Sequence, residues 1–101
     1  WLVGNIPGTE ISKGETLTEY IGSGPPLDTG LHRYVFLVYK QPSKLIFNEP
    51  YVTNKSPGNR THFSIHKFAQ KYNLGLPVAG NFYQAQYDDY VPLRYKQPTT
   101  T

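Results

Sequence analysis

The residues with the clearest chemical potential lie in one short stretch near the middle of the chain. A loop with the sequence Gly-Ser-Gly-Pro-Pro at residues 22–26 precedes His32 and Tyr34. Side chains two positions apart point to the same side of a β-strand, so His32 and Tyr34 should point together and Arg33 should point away. An imidazole, a phenol and the backbone N–H groups of a glycine loop are donors that hold anions. Groups of these types at this spacing can hold a phosphate.

The same residues also allow a purely structural interpretation. His32 can be a hydrogen-bonded histidine at the start of a strand, and Tyr34 can be a core residue. Arg33 can serve in an ion pair, and the glycine-proline loop can be an ordinary turn. The tyrosines towards the C-terminus can act in packing; they are Tyr83, Tyr87, Tyr90 and Tyr95. Spacing alone therefore leaves both interpretations open.

The other reactive residue types give little support to a metal site or an enzyme. The three histidines are too scattered to predict a chelating pair; they are His32, His62 and His66. The chain has no Cys, which excludes a thiolate nucleophile, a cysteine zinc site and a disulfide framework. No nucleophile elbow, Walker loop or dinucleotide fingerprint occurs. We therefore expect a protein that is not an enzyme and that needs no metal and no cofactor.

Composition favours a single small domain that is rich in β-strands. The chain has 101 residues, of which 38% are hydrophobic and 17% are charged, a balance that disordered segments do not have. Nine Tyr, nine Pro and nine Gly suit short strands joined by loops. The net charge of +3 is small and acidic residues are interspersed, so we expect no nucleic-acid partner. No apolar run approaches the length of a bilayer span, and we expect peripheral membrane contact at most.

Strand patterns lie on both sides of the candidate site. Residues 2–6 predict a short strand, whereas residues 9–18 carry turn residues and predict a surface loop. Residues 31–39 give the strongest strand pattern, with a continuously apolar end that indicates burial on both faces. Residues 41–60 predict a long irregular segment, and residues 78–87 predict another strand.

One segment has a clear helical period. Apolar residues recur on one face of residues 64–74; they are Ile65, Phe68, Ala69 and Tyr72. Ser64 can cap this helix, and Phe63 and Phe68 occupy the two positions of a hydrophobic staple. Gly75, with a proline two positions later, can end it.

The end of the chain predicts a second, shorter helix and a tail. Asp88 and Asp89 can cap that helix, with Pro92 in its first turn. Residues 98–101 have nothing to bury and should form a flexible tail.

Taken together, these segments resemble a known family. The loop at residues 22–26, followed by Gly-Leu-His-Arg-Tyr-Val-Phe at residues 30–36, is similar to the second signature of the phosphatidylethanolamine-binding, or Raf kinase inhibitor, family. Further similar segments span the chain; they lie at residues 1–6, 77–80, 83–85 and 88–92. The resemblance implies a mainly β fold, in which a large antiparallel sheet and a smaller sheet form a sandwich with peripheral helices. It also implies a small pocket that accepts phosphate or phosphorylethanolamine.

The resemblance assigns roles in that pocket residue by residue. One wall would come from the loop, through Gly22, Gly24, Pro25 and Pro26. His32 and Tyr34 would form the polar floor, and Tyr95 would form the rim on the last helix.

Two parts of the family pattern do not occur in this sequence. They are an Asp-Pro-Asp-x-Pro signature and a histidine immediately before the strand that begins at Trp1. We therefore expect residues 1–97 to be the C-terminal part of a single domain whose sandwich is incomplete, because the N-terminal strands are missing. Half of the polar pocket would be missing with them. Lys67 stands where signalling members carry a phosphorylatable serine, so that switch is not expected.

The function implied by the resemblance is the binding of small phosphate-bearing ligands, such as the phosphatidylethanolamine headgroup, in the cytoplasm. An alternative is an inhibitor of a protein kinase or a serine protease that acts through protein contacts. Asn54 and Asn59 begin two glycosylation patterns, of which Pro57 weakens the first. These patterns would matter only in a protein that enters the secretory route.

Overall fold

The structure is a computed structural model that describes residues 1–55, 60 and 63–89. The chain divides into two compact units: unit 1 comprises Trp1–Ile21 and Tyr39–Val78, and unit 2 comprises Gly22–Val38 and Ala79–Thr101. In the described residues each unit contains one two-stranded antiparallel sheet, and unit 1 also contains an α-helix. The fold class is mainly β with a helix, as the sequence predicts. That helix is too short to cross a membrane, and the rest of the described chain offers no other candidate.

The sheet of unit 1 pairs β1 (Leu2–Gly4) with β2 (Glu15–Thr18), and a 3-10 turn at Ile11–Lys13 lies between them. The prediction of a surface loop over residues 9–18 is therefore wrong at its C-terminal end. Residues 15–18 form a strand because they pair with β1, and the buried Leu17 and its neighbour Glu19 also bond to the distant Val52. The Val52 N–H donates to the Leu17 carbonyl at 2.9 Å, and the Val52 carbonyl accepts from the Glu19 N–H at 2.8 Å. Packing and pairing decide strand formation here more than local propensity does.

Asn5 joins the end of β1 to the irregular segment at residues 41–45. Its backbone is left-handed, with φ of 54°, a conformation that Asn tolerates better than most residues. Its Oδ1 accepts from Gln41 Nε2 at 2.8 Å and from the Leu45 N–H at 2.9 Å. Its Nδ2 donates to the Leu45 carbonyl at 2.8 Å. One side chain thus satisfies polar groups of a segment that has no regular structure of its own.

Helix α1 (Ile65–Lys71) is the helix that the apolar period predicts. The Ser64 Oγ accepts a hydrogen bond from the Lys67 N–H at 3.2 Å, which is the predicted N-cap. The ring centroids of Phe63 and Phe68 lie 5.8 Å apart, which confirms the predicted staple. Phe68 and Ala69 are buried, so the apolar face of the helix is also its packed face.

The helix ends around Asn73, so the prediction that Gly75 ends it is wrong. Asn73 is left-handed, with φ of 56°, and its N–H donates to the Gln70 carbonyl at 3.2 Å. The Leu74 N–H donates to the Ala69 carbonyl at 2.9 Å, which completes a Schellman motif. Asn can take the left-handed position that more often selects Gly, and Gly75, with φ of 73°, lies beyond the motif.

Residues 47–49 pack against α1 and bond to its C-terminal end. The Phe47 ring centroid lies 6.0 Å from that of Phe68 and 4.9 Å from that of Tyr72. Glu49 Oε2 accepts from Lys71 Nζ at 2.6 Å and from the Tyr72 hydroxyl at 2.6 Å. These hydrogen bonds, led by the one from Lys71, hold the pKa of Glu49 below its ordinary value. The carboxylate form of Glu49 therefore stabilises the fold.

Unit 2 pairs β3 (His32–Val38) with β4 (Ala79–Ala85) in an antiparallel ladder. The register runs from His32 opposite Ala85 to Val38 opposite Ala79. Both strands lie within the ranges that the sequence predicts, so both predictions are confirmed.

The apolar end of β3 is exposed, and the prediction that it is buried on both faces is wrong for the described structure. Val35 is 57% exposed, Leu37 41% and Val38 54%. Burial on both faces requires layers above and below a sheet. Among the described residues this sheet has two strands, so β3 combines the composition of a central strand with a single strand neighbour.

Replacing Ser64 by Ala should lower the free energy of unfolding by about 1 kcal/mol, because the Lys67 N–H loses its acceptor. Urea unfolding of the full-length protein, followed by far-UV circular dichroism, measures this change. Ser64→Asp is the matched control, since an Asp side chain also caps, and it should retain most of the stability. Equal unfolding midpoints for Ser64→Ala and the parent protein would contradict the cap.

Replacing Glu49 by Gln should destabilise the protein at pH 7, and the difference should shrink as the pH falls. The folded-state pKa of Glu49 is lowered from its ordinary value of 4.5. Its contribution is therefore fully present above that value and is lost as the pH falls through the folded-state pKa. Urea unfolding of both proteins between pH 3 and 7, the range in which carboxyl groups titrate, measures the difference in the free energy of unfolding.

Glu10→Gln provides the matched control for this experiment. Glu10 and Lys13 form an ion pair at 2.8 Å with side chains 57% and 69% exposed, and such a pair contributes little. A loss in Glu49→Gln that is the same at every pH would contradict the stabilising carboxylate.

Candidate functional site

The glycine-proline loop at residues 22–26 leads into β3 through a tight turn. Within the loop Pro25 is buried and Pro26 is exposed. The turn that follows is left-handed at two positions, with φ of 62° at Asp28 and 75° at Gly30. Two adjacent prolines limit the loop backbone, and the left-handed positions reverse the chain over a short distance.

Thr29 connects the loop to the first residue of β3. Its hydroxyl donates to the Pro26 carbonyl at 2.7 Å. The same Oγ1 lies 2.6 Å from His32 Nε2, within hydrogen-bond distance. The predicted wall residue Pro26 and the predicted floor residue His32 are thereby joined through one hydroxyl. Thr29 was not among the predicted site residues; a Thr hydroxyl can bond to a carbonyl three residues earlier, but its residue type alone does not show that it does so.

The register of β3 and β4 decides which side chains lie on the same face of the sheet. Directly opposite residues of an antiparallel pair project to the same side, and successive residues alternate. We call one side the His32 face; it carries His32, Tyr34, Phe36 and Val38 of β3 with Ala79, Asn81, Tyr83 and Ala85 of β4. The opposite side is the Arg33 face; it carries Arg33, Val35 and Leu37 with Gly80, Phe82 and Gln84.

The predicted alternation of His32, Arg33 and Tyr34 is confirmed by ring contacts on the two faces. On the His32 face, Tyr34 stacks on Tyr83 with centroids 5.1 Å apart and planes 16° apart. On the Arg33 face, the guanidinium carbon of Arg33 lies 5.1 Å from the ring centroid of Phe82. Arg33 therefore stacks on an aromatic ring, on the side of the sheet away from His32 and Tyr34.

The His32 face carries no acidic side chain. Its residues are an imidazole, two phenols, a carboxamide and apolar groups. The residue opposite His32 is Ala85, which has a small side chain. Acidic side chains beside a site oppose anion binding, and none lies on this face of the two strands.

Tyr83 supports the floor of the candidate site. Besides stacking on Tyr34, its ring centroid lies 6.0 Å from that of Phe36. Packing was one of the roles that the sequence allows for Tyr83, and its contacts in the structure are packing contacts. Tyr34 is half-buried, as is His32, so both side chains keep part of their surface accessible.

Several sequence predictions lie outside the described residues. These are the rim residue Tyr95, the histidine at position 62, the final helix with Pro92, the glycosylation pattern at Asn59 and the tail at residues 98–101. The predicted site residues that the structure describes all belong to unit 2; they are Gly22, Gly24, Pro25, Pro26, His32 and Tyr34. In the part of the chain that the structure describes, no group of three or more side chains could hold a metal ion.

A separate concavity of about 260 Å³ opens beside α1 in unit 1. It is lined by Glu49, Phe63, Ser64, Lys67, Phe68 and Lys71. Lys71 is already paired with Glu49 there, and no predicted site residue lines it. The predicted anion-binding residues His32 and Tyr34 lie in unit 2 instead.

Known proteins match both the sequence and the fold of this chain. The family model described as phosphatidylethanolamine-binding protein matches residues 1–84. A Drosophila melanogaster protein named "Putative odorant-binding protein A5" is 47% identical over 92 residues, which cover 91% of this chain and 44% of that protein. The solution structure of CG7054 superposes with a TM-score of 0.76 at 53% identity, covering 95% of this chain and 54% of that one.

These matches extend over most of the chain but over less of the relatives. The chain spans about half the length of the relatives it matches, 44% in one case and 54% in the other. The family model covers the loop at residues 22–26 and the whole of β3, where the candidate site lies. The chain therefore belongs to the phosphatidylethanolamine-binding protein family.

Proposed function

We propose that this chain contributes one side of a pocket that binds small ligands carrying a phosphate group. Pro26 and the rest of the loop at residues 22–26 would form a wall, and His32 and Tyr34 would contact the phosphate. The observation that carries the proposal is the placement of His32 and Tyr34 on one acid-free face, with His32 joined through Thr29 to the loop. The Tyr34 hydroxyl can donate to a phosphate oxygen, and a free imidazole nitrogen can donate to such an oxygen or accept from a phosphate hydroxyl, according to its protonation.

Binding without chemical turnover is supported by the contact between Thr29 and His32. A hydroxyl 2.6 Å from an imidazole has the spacing of a nucleophile and its base. A base must accept the hydroxyl proton, but the Thr29 hydroxyl donates that proton to the Pro26 carbonyl at 2.7 Å. Thr29 is therefore not activated by His32, and we propose a binding protein rather than an enzyme.

The pocket of the whole protein would include residues beyond this chain, because the chain spans about half the length of its relatives. We propose that residues 1–97 belong to one domain in the cytoplasm and that Tyr95 forms the pocket rim. Inhibition of a protein kinase or a serine protease stays a prediction from the family resemblance.

The name of the Drosophila relative favours a second ligand class, small odorant molecules. The aromatic part of the His32 face would suit such ligands, since Tyr34, Phe36 and Tyr83 contact one another there. An uncharged odorant would use this aromatic surface and would gain little from the imidazole.

Replacing His32 by Ala should weaken the binding of phosphorylethanolamine about tenfold, because a hydrogen bond to a charged group is lost. Two-dimensional NMR titration of the full-length protein measures the dissociation constant. An unchanged constant would remove His32 from the site.

His66→Ala is the matched control, because His66 is exposed on α1 in unit 1. This variant should bind phosphorylethanolamine like the parent protein. A titration with an uncharged odorant distinguishes the second ligand class, since His32→Ala should leave that affinity unchanged. Saturable odorant binding without any response to phosphorylethanolamine would favour the odorant and count against the phosphate pocket.

A further inference from the structure

We infer that Thr29 is a positioning residue that fixes the proton of His32 on Nε2 and leaves Nδ1 as the ring nitrogen that can meet a ligand. The position of the proton follows from hydrogen-bond geometry, whereas its effect on ligand binding rests on the proposed function. Two contacts carry it: Thr29 Oγ1 to the Pro26 carbonyl oxygen at 2.7 Å, and Thr29 Oγ1 to His32 Nε2 at 2.6 Å.

The positions of the protons follow from what each group can donate. The carbonyl of Pro26 carries no proton and can only accept, so the single hydroxyl proton of Thr29 must lie between Oγ1 and that carbonyl. The Thr29 oxygen then has only lone pairs to offer His32. Nε2 must therefore carry a proton and donate it to Oγ1 across the 2.6 Å contact.

A neutral imidazole has one N–H and one bare nitrogen. With the proton on Nε2, the bare nitrogen of neutral His32 is Nδ1. Among the described residues no hydrogen-bond partner of Nδ1 is seen, whereas Nε2 is engaged by Thr29. Nδ1 is thus the ring atom of His32 that is available to a ligand.

This assignment selects among anions. Neutral His32 offers an acceptor at Nδ1, so the preferred ligand brings a donor beside its anionic oxygens. A phosphate that retains one proton has such a hydroxyl, and phosphorylethanolamine has an ammonium group in addition. Sulfate has a similar shape but carries no proton near neutral pH, and its lone pairs would face the lone pair on Nδ1. The site should therefore prefer a protonated phosphate group to sulfate.

The turn that holds Thr29 explains why its hydroxyl can reach both groups. Thr29 follows the left-handed Asp28 and precedes the left-handed Gly30. Thr29 is three residues after Pro26 and three residues before His32. This backbone places its hydroxyl between the Pro26 carbonyl and the His32 ring. The hydroxyl would lose this role if the turn took another conformation.

The first test is the tautomer of His32 in the full-length protein without ligand, read from nitrogen-15 NMR of the imidazole ring near neutral pH. We expect the neutral ring to be protonated on Nε2 alone, with an Nε2 proton slowed in its exchange with water. Thr29→Val, which has a similar shape and no hydroxyl, should show a mixture of both tautomers and fast exchange. Thr29→Ser should restore the parent spectrum.

The second test is the affinity for phosphorylethanolamine and for inorganic sulfate, by the same NMR titration. Thr29→Val should bind phosphorylethanolamine about fivefold more weakly and should discriminate less against sulfate, whereas Thr29→Ser should behave like the parent protein. Thr9→Val, an exposed threonine of unit 1, is the matched control and should change neither ligand.

The outcomes separate this inference from the proposed function. A parent protein with the proton on Nδ1, or a Thr29→Val spectrum equal to that of the parent, would overturn the role of Thr29. A parent protein that has the expected tautomer but binds no phosphate would overturn the proposed function instead. If Thr29→Val does not fold, the parent tautomer and the Thr29→Ser variant still decide the question.

Discussion

The candidate site depends on the register in which β3 pairs with β4. Because side chains alternate along a strand, a slip by one residue would move His32 and Tyr34 to the opposite side of the sheet and put Arg33 in their place. The stack of Tyr34 on Tyr83 favours the observed register on one face, and the stack of Arg33 on Phe82 favours it on the other. Gly80 adds a steric preference, since a β-carbon there would lie 3.2 Å from Leu37 Cδ2. Cross-strand pairs of this kind determine a register as well as stabilising the sheet.

The turn before β3 adds what the register alone does not provide. Pairing places the backbone of His32, but the ring can still rotate about its side-chain bonds. The Thr29 hydroxyl limits that rotation by its contact with Nε2, and the Pro26 carbonyl in turn orients the hydroxyl. The restricted backbone of the two prolines helps to hold that carbonyl. The short loop thus restricts the orientation of the His32 ring, although the described residues form no large buried core around it.

Periodicity in the sequence was sufficient to predict β3, β4, α1 and the orientation of His32 and Tyr34 relative to Arg33. These features repeat every two or 3.6 residues and need only local information. The strand β2 was not predicted because it forms by pairing with β1 and by hydrogen bonds to the distant Val52, neither of which a local pattern of turn residues shows. The role of Thr29 was not predicted, because its contacts depend on a turn with a left-handed Asp28, which a sequence pattern does not specify. The exposure of β3 was not predicted, because an apolar composition shows only that a strand is suited to burial. Whether it is buried depends on the layers that surround it.

Along the His32 face the chemistry changes from polar to apolar, and this gradient relates the two proposed ligand classes. His32 and Tyr34 lie at the loop end of β3, and Phe36 and Val38 follow towards the other end. Alternate residues are about 7 Å apart along a strand, so the apolar end begins roughly 13 Å from His32. A ligand with a phosphate group and an apolar part could lie along this gradient, with its phosphate beside His32. An uncharged odorant would use only the aromatic part. Affinity for the phosphate would then depend on His32 and Thr29, and affinity for apolar groups would depend on Phe36 and Tyr83.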